Sequence, residues 1–191
     1  AMQQLGHGLS EAKHHEDALS VQEAELSMKR RVGAPESSIL DVQANLAMTY
    51  AKLGRNEEAS RMLQGTYSGR LKLNGEEHQT TLYEANNLAN SLFALERFGE
   101  GKALMRKTVP VARRVLGDPH DLTLRMRWHY AMALYKDAGA TLDDLREAVA
   151  TLEDTKPTAR RVLGGAHPVV APMESSLRSA RAALRARETQ P

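Results

Sequence analysis

The sequence predicts an all-α fold made of antiparallel helix pairs stacked one after another. Three observations carry this expectation. Segments recur in one register: Asn45-Leu46-Ala47 returns 42 residues later as Asn87-Leu88-Ala89, and the Gly and His of Gly75-Glu76-Glu77-His78 return in Gly117-Asp118-Pro119-His120. Apolar residues within each copy fall at helical spacing, while no segment alternates convincingly with a period of two. Ile occurs once, at Ile39, and Ala, Leu, Glu and Arg dominate, a composition that favours helix over strand.

The first element is a partial copy over residues 1–35. Glu16-Asp17-Ala18-Leu19 and Lys29-Arg30-Arg31-Val32-Gly33 read as the second half of a repeat. The first full copy spans residues 36–77. Its first helix carries the stripe Leu46, Ala47, Tyr50, it ends at Gly54-Arg55, and its second helix places the small residue Ala59 near its start. The second copy, residues 78–119, repeats the stripe as Leu88, Ala89, Leu92 and the small residue as Gly101. The third, residues 120–166, has Tyr130, Ala131, Leu134 and Ala148, and Pro110-Val-Ala-Arg-Arg-Val-Leu-Gly117 returns almost unchanged as Pro157-Thr-Ala-Arg-Arg-Val-Leu-Gly164. That offset is 47, so five extra residues belong between Asp137 and Leu142, where Gly139 and Thr141 suit a turn. Thr141 to Asp144 then resembles a capping-box start.

Pro110 and Pro157 occupy one position inside the second helices and predict a kink or break there, since each removes a backbone donor. Residues 167–191 form the last element, a capping helix with Leu177, Ala180 and Leu184 on one face.

The multiple in-register copies resemble the tetratricopeptide repeat, in the longer 42-residue form of kinesin light chains. The residues that carry the likeness are Asn-Leu-Ala-x-x-Tyr, then Leu53-Gly54-Arg55-Asn56-Glu57-Glu58-Ala59, an Arg-rich helix end and Gly-x-x-His. Glu96 stands where that pattern has glycine, and His129 where it has asparagine. The resemblance covers nearly the whole chain and implies a right-handed α-solenoid, first helices lining a concave groove that binds peptides.

By the same resemblance, the groove positions are Asp41, Ala44, Met48 and Ala51 in copy one, Tyr83, Asn86, Asn90 and Phe93 in copy two, and Arg125, Trp128, Met132 and Tyr135 in copy three. Each set has spacing three, four, three and therefore shares a helical face. Aromatics are only 4% of the chain, yet Tyr83, Phe93, Trp128 and Tyr135 all fall on these stripes. Asn86 and Asn90 offer paired donors and acceptors for peptide amides, while Arg125 and Lys136 add positive charge. The expected partner is a protein segment with an apolar anchor beside acidic residues. Ordinary inter-repeat packing of the same aromatics is the competing reading, because a register error of one residue moves a side chain about 100° round the helix.

Other chemistries find little support. With no Cys, thiol nucleophiles and Cys-ligated metals are excluded, and no stretch approaches the length of a membrane span. Ala1 to Ser10 lacks the basic and apolar regions of a signal peptide, so a cytoplasmic protein is expected. His78, His120 and His167 sit one per repeat and cannot converge on one ion across helices about 8–10 Å apart, so they read as helix-entry residues. His14-His15 points to two faces of a helix and reads as surface, and His7 adds nothing further. Gly99-Glu100-Gly101-Lys102 lacks the first glycine, the hydroxyl residue and the preceding strand of a phosphate loop.

No catalytic constellation is visible, and no cofactor is expected. Net charge is −3 over residues 1–45, +1 over 46–158 and +4 over 159–191, and paired arginines at helix ends suit the helix dipole better than nucleic acid. The expectation is a non-catalytic interaction module. Its alternative is a structural scaffold or oligomerisation segment using convex or end surfaces, with weaker electrostatic binding through the Arg-rich tail as a third reading.

Overall fold

Residues whose apolar positions repeat every three or four should bury one helical face, and the computed structural model shows how they do so. It describes residues 14–189, so His7 and the segment Ala1 to Ser10 lie outside the described residues. Among these are eight helices and no strand: α1 (His15–Arg31), α2 (Glu36–Lys52), α3 (Asn56–Asn74), α4 (Gln79–Ala94), α5 (Phe98–Leu116), α6 (Asp121–Lys136), α7 (Leu142–Leu163) and α8 (Val170–Glu188). No helix among the described residues is long and apolar enough to cross a membrane.

The chain divides into two compact units that meet at Leu95 and Glu96. In unit one α2 packs on α1 and on α3, and α3 packs on α4. The stripes Leu46, Ala47, Tyr50 and Leu88, Ala89, Leu92 are buried, and Leu19, Leu26, Val42 and Leu46 form a cluster with Tyr50 and Ala59. In unit two α6 packs between α5 and α7, while α8 lies on α7 and also touches α6. Tyr130, Ala131 and Leu134 are buried there, and Leu124, Ala159, Val169, Val170 and Met173 make a second cluster. Leu177 and Ala180 of α8 face inward, and Leu184 is half-buried.

The histidines at the first two repeat junctions are helix caps. The Nδ1 of His78 accepts from the Thr80 amide at 3.2 Å, and that of His120 from the Leu122 amide at 3.1 Å, which satisfies a donor the first helical turn cannot. His167 makes the same contact with the Val169 amide at 3.4 Å. His14 is exposed, as expected, but His15 is half-buried, with its Nδ1 shielded from water. Before each cap the second helix stops at a glycine, Gly75 with φ 82° and Gly117 with φ 87°, values that a side chain rarely tolerates.

The five-residue insertion lies where the turn residues placed it. It lengthens the loop before α7 by two residues and the helix by three, leaving the far end of α7 in register. The capping box forms: the Asp144 amide donates to Thr141 Oγ1 at 3.1 Å, and the Thr141 amide donates back to the Asp144 carboxylate at 3.0 Å. The break expected at Pro110 and Pro157 does not occur, since α5 and α7 run through both residues. Each proline side chain is exposed, while Val109, Val111 and Ala112 around Pro110, and Thr155 and Ala159 around Pro157, are buried. That packing holds the helix despite the lost hydrogen bond. Gly99-Glu100-Gly101-Lys102 is the first turn of α5, and Lys102 Nζ pairs with Asp137 at 2.9 Å and Asp144 at 3.5 Å.

Two departures from the repeat pattern carry measurable costs. Glu96 has φ 57°, the left-handed conformation that Gly54 takes at the equivalent turn with φ 75°. Glu96→Gly is therefore expected to raise stability by about 1 kcal/mol, read as a higher denaturation midpoint at constant slope. His129 is buried against Trp128, ring centroids 5.0 Å apart, and burial, with Arg125 adding to it, lowers its pKa to about 4. Its unfolded form takes a proton near pH 6.5 and its folded form only near 4, so stability present above pH 6.5 is lost as pH falls through that window. His129→Asn, the residue of the other copies, is expected to remove about 3 kcal/mol of that acid sensitivity, measured by denaturation at pH 7 and pH 4.

Candidate functional site

A cavity of about 300 Å³ opens in unit one between α2, α3 and α4. Met48, Ala51 and Lys52 of α2, Asn56 and Leu63 of α3, and Asn87, Asn90, Ser91 and Ala94 of α4 line it. The α4 residues are spaced three, one and three apart, a single helical face. Its apolar members are Met48, Ala51, Leu63 and Ala94, with three carboxamides, a hydroxyl and the Lys52 ammonium set among them. Such a mixture suits a ligand that inserts an apolar group and hydrogen-bonds around it.

Two of the lining residues are held by unusual surroundings. Ser91 is only 6% exposed, and its Oγ has no hydrogen-bond partner among the described residues. Buried hydroxyls are normally satisfied, so this one marks a donor and acceptor left open at the cavity wall. Next to Asn87, the Glu84 carboxyl accepts a 3.3 Å hydrogen bond from Thr66 Oγ1. Glu84 is 8% exposed at a position where the other copies have Val42 and Met126. Burial pushes its pKa up, while Asn87, Thr66 and Arg70 pull it down and Asp41 raises it slightly. Behind it, Arg70 Nη2 donates to the Ser37 carbonyl at 3.2 Å and to the Asp41 carboxylate.

The expected groove residues separate into several groups. Met48 and Tyr83 are 50% and 42% exposed, and Asn90 is exposed; Met48, Ala51 and Asn90 meet at the cavity. Asn86 and Phe93 are buried, as is Ala44, so these point toward the packed face rather than outward. Asp41 is occupied by Arg70. The α4 face that lines this cavity is rotated by about one residue from the expected stripe and includes Asn87, Ser91 and Ala94, while Asn86 and Phe93 are buried.

In unit two Trp128 is half-buried. Its indole N–H donates to Ser176 Oγ of α8 at 2.9 Å, and its ring packs against the second core cluster. Arg125 sets its Nε 2.9 Å from Asp121, one turn earlier on the same helix. Met132 and Tyr135 are half-buried, and the exposed Lys136 sets its ammonium 5.6 Å from the Phe98 ring centre. Asn56 and Leu63 were not legible as site residues, since they belong to a second helix and only chain folding brings them to α4. The Asn87-x-x-Asn90-Ser91 spacing was the available signal for the rest.

Residues 39–80 and 81–121 each match the family model described as tetratricopeptide repeat. No curated protein sequence matches the chain. Two crystal structures of a kinesin light chain-type protein with nearly identical TPR-like repeats from Podosopora anserina superpose with TM-scores of 0.81 and 0.79. Both are 22% identical and cover 98% of this chain, and the match takes in 86% and 87% of theirs. BtubC from P. vanneervenii superposes with a TM-score of 0.64 at 13% identity, covering 98% of this chain and 80% of its own. The matched repeats and the helix pairs agree: residues 39–121 are tetratricopeptide repeats, and the chain has the fold of kinesin light chain-like repeats.

Proposed function

We propose that this chain is a non-catalytic protein-protein interaction module that docks a peptide segment at the cavity of unit one. The repeat fold suits protein-protein interaction in general; the peptide site is the finer step. The observation that carries it is the buried, unpartnered Ser91 hydroxyl beside Asn87 and Asn90, on a wall that also presents the apolar Met48, Ala51, Leu63 and Ala94. An apolar anchor would enter against Met48, Ala51 and Leu63, and the carboxamides would meet the segment's amides.

A structural scaffold is the second reading. Leu73, Val115 and Val162 are 45%, 39% and 47% exposed at one equivalent position near the ends of α3, α5 and α7, apolar surface that an end-on contact would cover.

A peptide-library selection separates the two. Enriched peptides should bind Ala51→Leu, Asn90→Ala protein about tenfold more weakly, with an unchanged thermal melt. Because Ala51 and Asn90 are both exposed, the double variant keeps its core. Enrichment that ignores these substitutions, or none at all, would transfer the assignment to the scaffold surface.

A further inference from the structure

A second cavity, of about 500 Å³, opens in unit two between α5, α6 and α7. Three arginines line it, Arg106 and Arg113 from α5 and Arg127 from α6. Arg127 is buried, at a position where the other copies have Gln43 and Ala85. A guanidinium taken out of water needs a charge partner, and Arg127 draws on two carboxylates from outside its own helix. Its Nη2 donates to Asp154 of α7, and its Nη1 lies 3.9 Å from Oδ1 of Asp118, in the junction between α5 and α6. Arg113 reaches the same Asp118 oxygen through its Nε at 2.6 Å. Two guanidiniums thus converge on one carboxylate oxygen at one end of the cavity, the geometry of an oxyanion receptor.

The present occupant is the chain itself, and it is loosely held. The Asp118 and Asp154 side chains are 51% and 72% exposed, and ion pairs so open to water contribute little stability. Either carboxylate can turn into solvent as long as another takes its place on Arg127. The opposite end of the cavity does not suit an anion. There Arg106 Nε donates to the Tyr130 hydroxyl at 3.3 Å, that hydroxyl donates to Glu147 at 2.8 Å, and Arg106 Nη2 is 3.7 Å from Asp144. An incoming carboxylate is repelled by Glu147 and Asp144 and directed to Arg113 and Arg127. The charge of the unit favours its approach: residues 96–191 hold 17 basic and 12 acidic side chains, whereas residues 1–95 hold nine and 12.

We propose that the Arg113–Arg127 end of this cavity docks an acidic segment of a partner protein, with Asp118 and Asp154 as built-in competitors that the segment displaces. The exchange replaces one carboxylate by another, so a lone carboxylate gains little. The ligand class is a run of consecutive Asp or Glu residues, which sets one carboxylate on the arginine pair and turns the others to the net positive surface of the unit. The equivalent place in unit one lacks both charges, since Gln43 and Gly65 stand where Arg127 and Asp154 are. The site is separate from the cavity of unit one and does not depend on the peptide docking proposed there.

The test titrates ¹⁵N-labelled protein with a tetraglutamate peptide at physiological salt. It follows the arginine Nε–H resonances and the fluorescence of Trp128, the single tryptophan of the chain and the neighbour of Arg127. The peptide should shift the Arg113 and Arg127 signals, while acetate at the same carboxylate concentration leaves them near their starting positions. Arg127→Gln, which installs the residue of the first copy, should weaken binding about tenfold, and Asp118→Asn, which removes a competitor, should tighten it about threefold. Asp143→Asn makes the same charge change at an exposed side chain outside the cavity and should leave affinity unchanged. Equal effects of Asp118→Asn and Asp143→Asn would reduce the interaction to net charge and overturn the site, as would arginine signals that the peptide does not move. Stronger shifts of the same signals by an oligouridylate than by the peptide would overturn the protein partner and assign the arginines to nucleic acid. Should Arg127→Gln fail to fold, Arg113→Ala, at a half-exposed side chain, is expected to show the same loss and decides in its place.

Discussion

Close approach between consecutive helices is the constraint on which each unit depends. Ala59, Gly101 and Ala148 occupy one position early in the second helices, and all are buried. A larger side chain there would hold a second helix away from the first and open the interface that buries Leu46 or Leu134. Because a repeat array is stabilised mainly by neighbour contacts, such a gap would be felt by the adjoining pair as well. Everything more variable, including the cavity wall and the charged loops, is arranged around a spacing that these small residues set.

Much of this could be read from the chain before any coordinates. Helices recur where the apolar stripes recur, the insertion falls in the Asp137 to Leu142 segment, and Thr141 and Asp144 form their box, because each rests on local chemistry within a few residues. The break expected at the prolines is absent for a related reason. Local chemistry forbids Pro110 inside a helix, but the buried flank Val109, Val111 and Ala112 outweighs one missing hydrogen bond, and that flank is a tertiary fact.

The candidate site was only partly legible. Met48, Asn90 and the exposed Tyr83 follow from helical spacing, yet Phe93 and Asn86 lie on the buried side of a boundary that one residue of rotation decides. Trp128 shows the same ambiguity from the other direction. An indole at a stripe edge serves a partner or a neighbouring helix equally well, and here Ser176 of α8 takes its N–H. No pattern in the sequence distinguishes these outcomes, because the deciding contact lies 48 residues away.

The glycines that end the second helices bear on how such a chain can change over time. Gly75 and Gly117 combine φ above 80° with ψ of 172° and 157°, a region open essentially to glycine alone. Surface residues on either side can be exchanged freely, whereas any replacement of the glycine introduces a side chain that strains the turn. Duplicated copies descending from one ancestor would therefore lose their resemblance last at these points. The boundary of a repeat outlives its contents because the backbone there has no second way to turn.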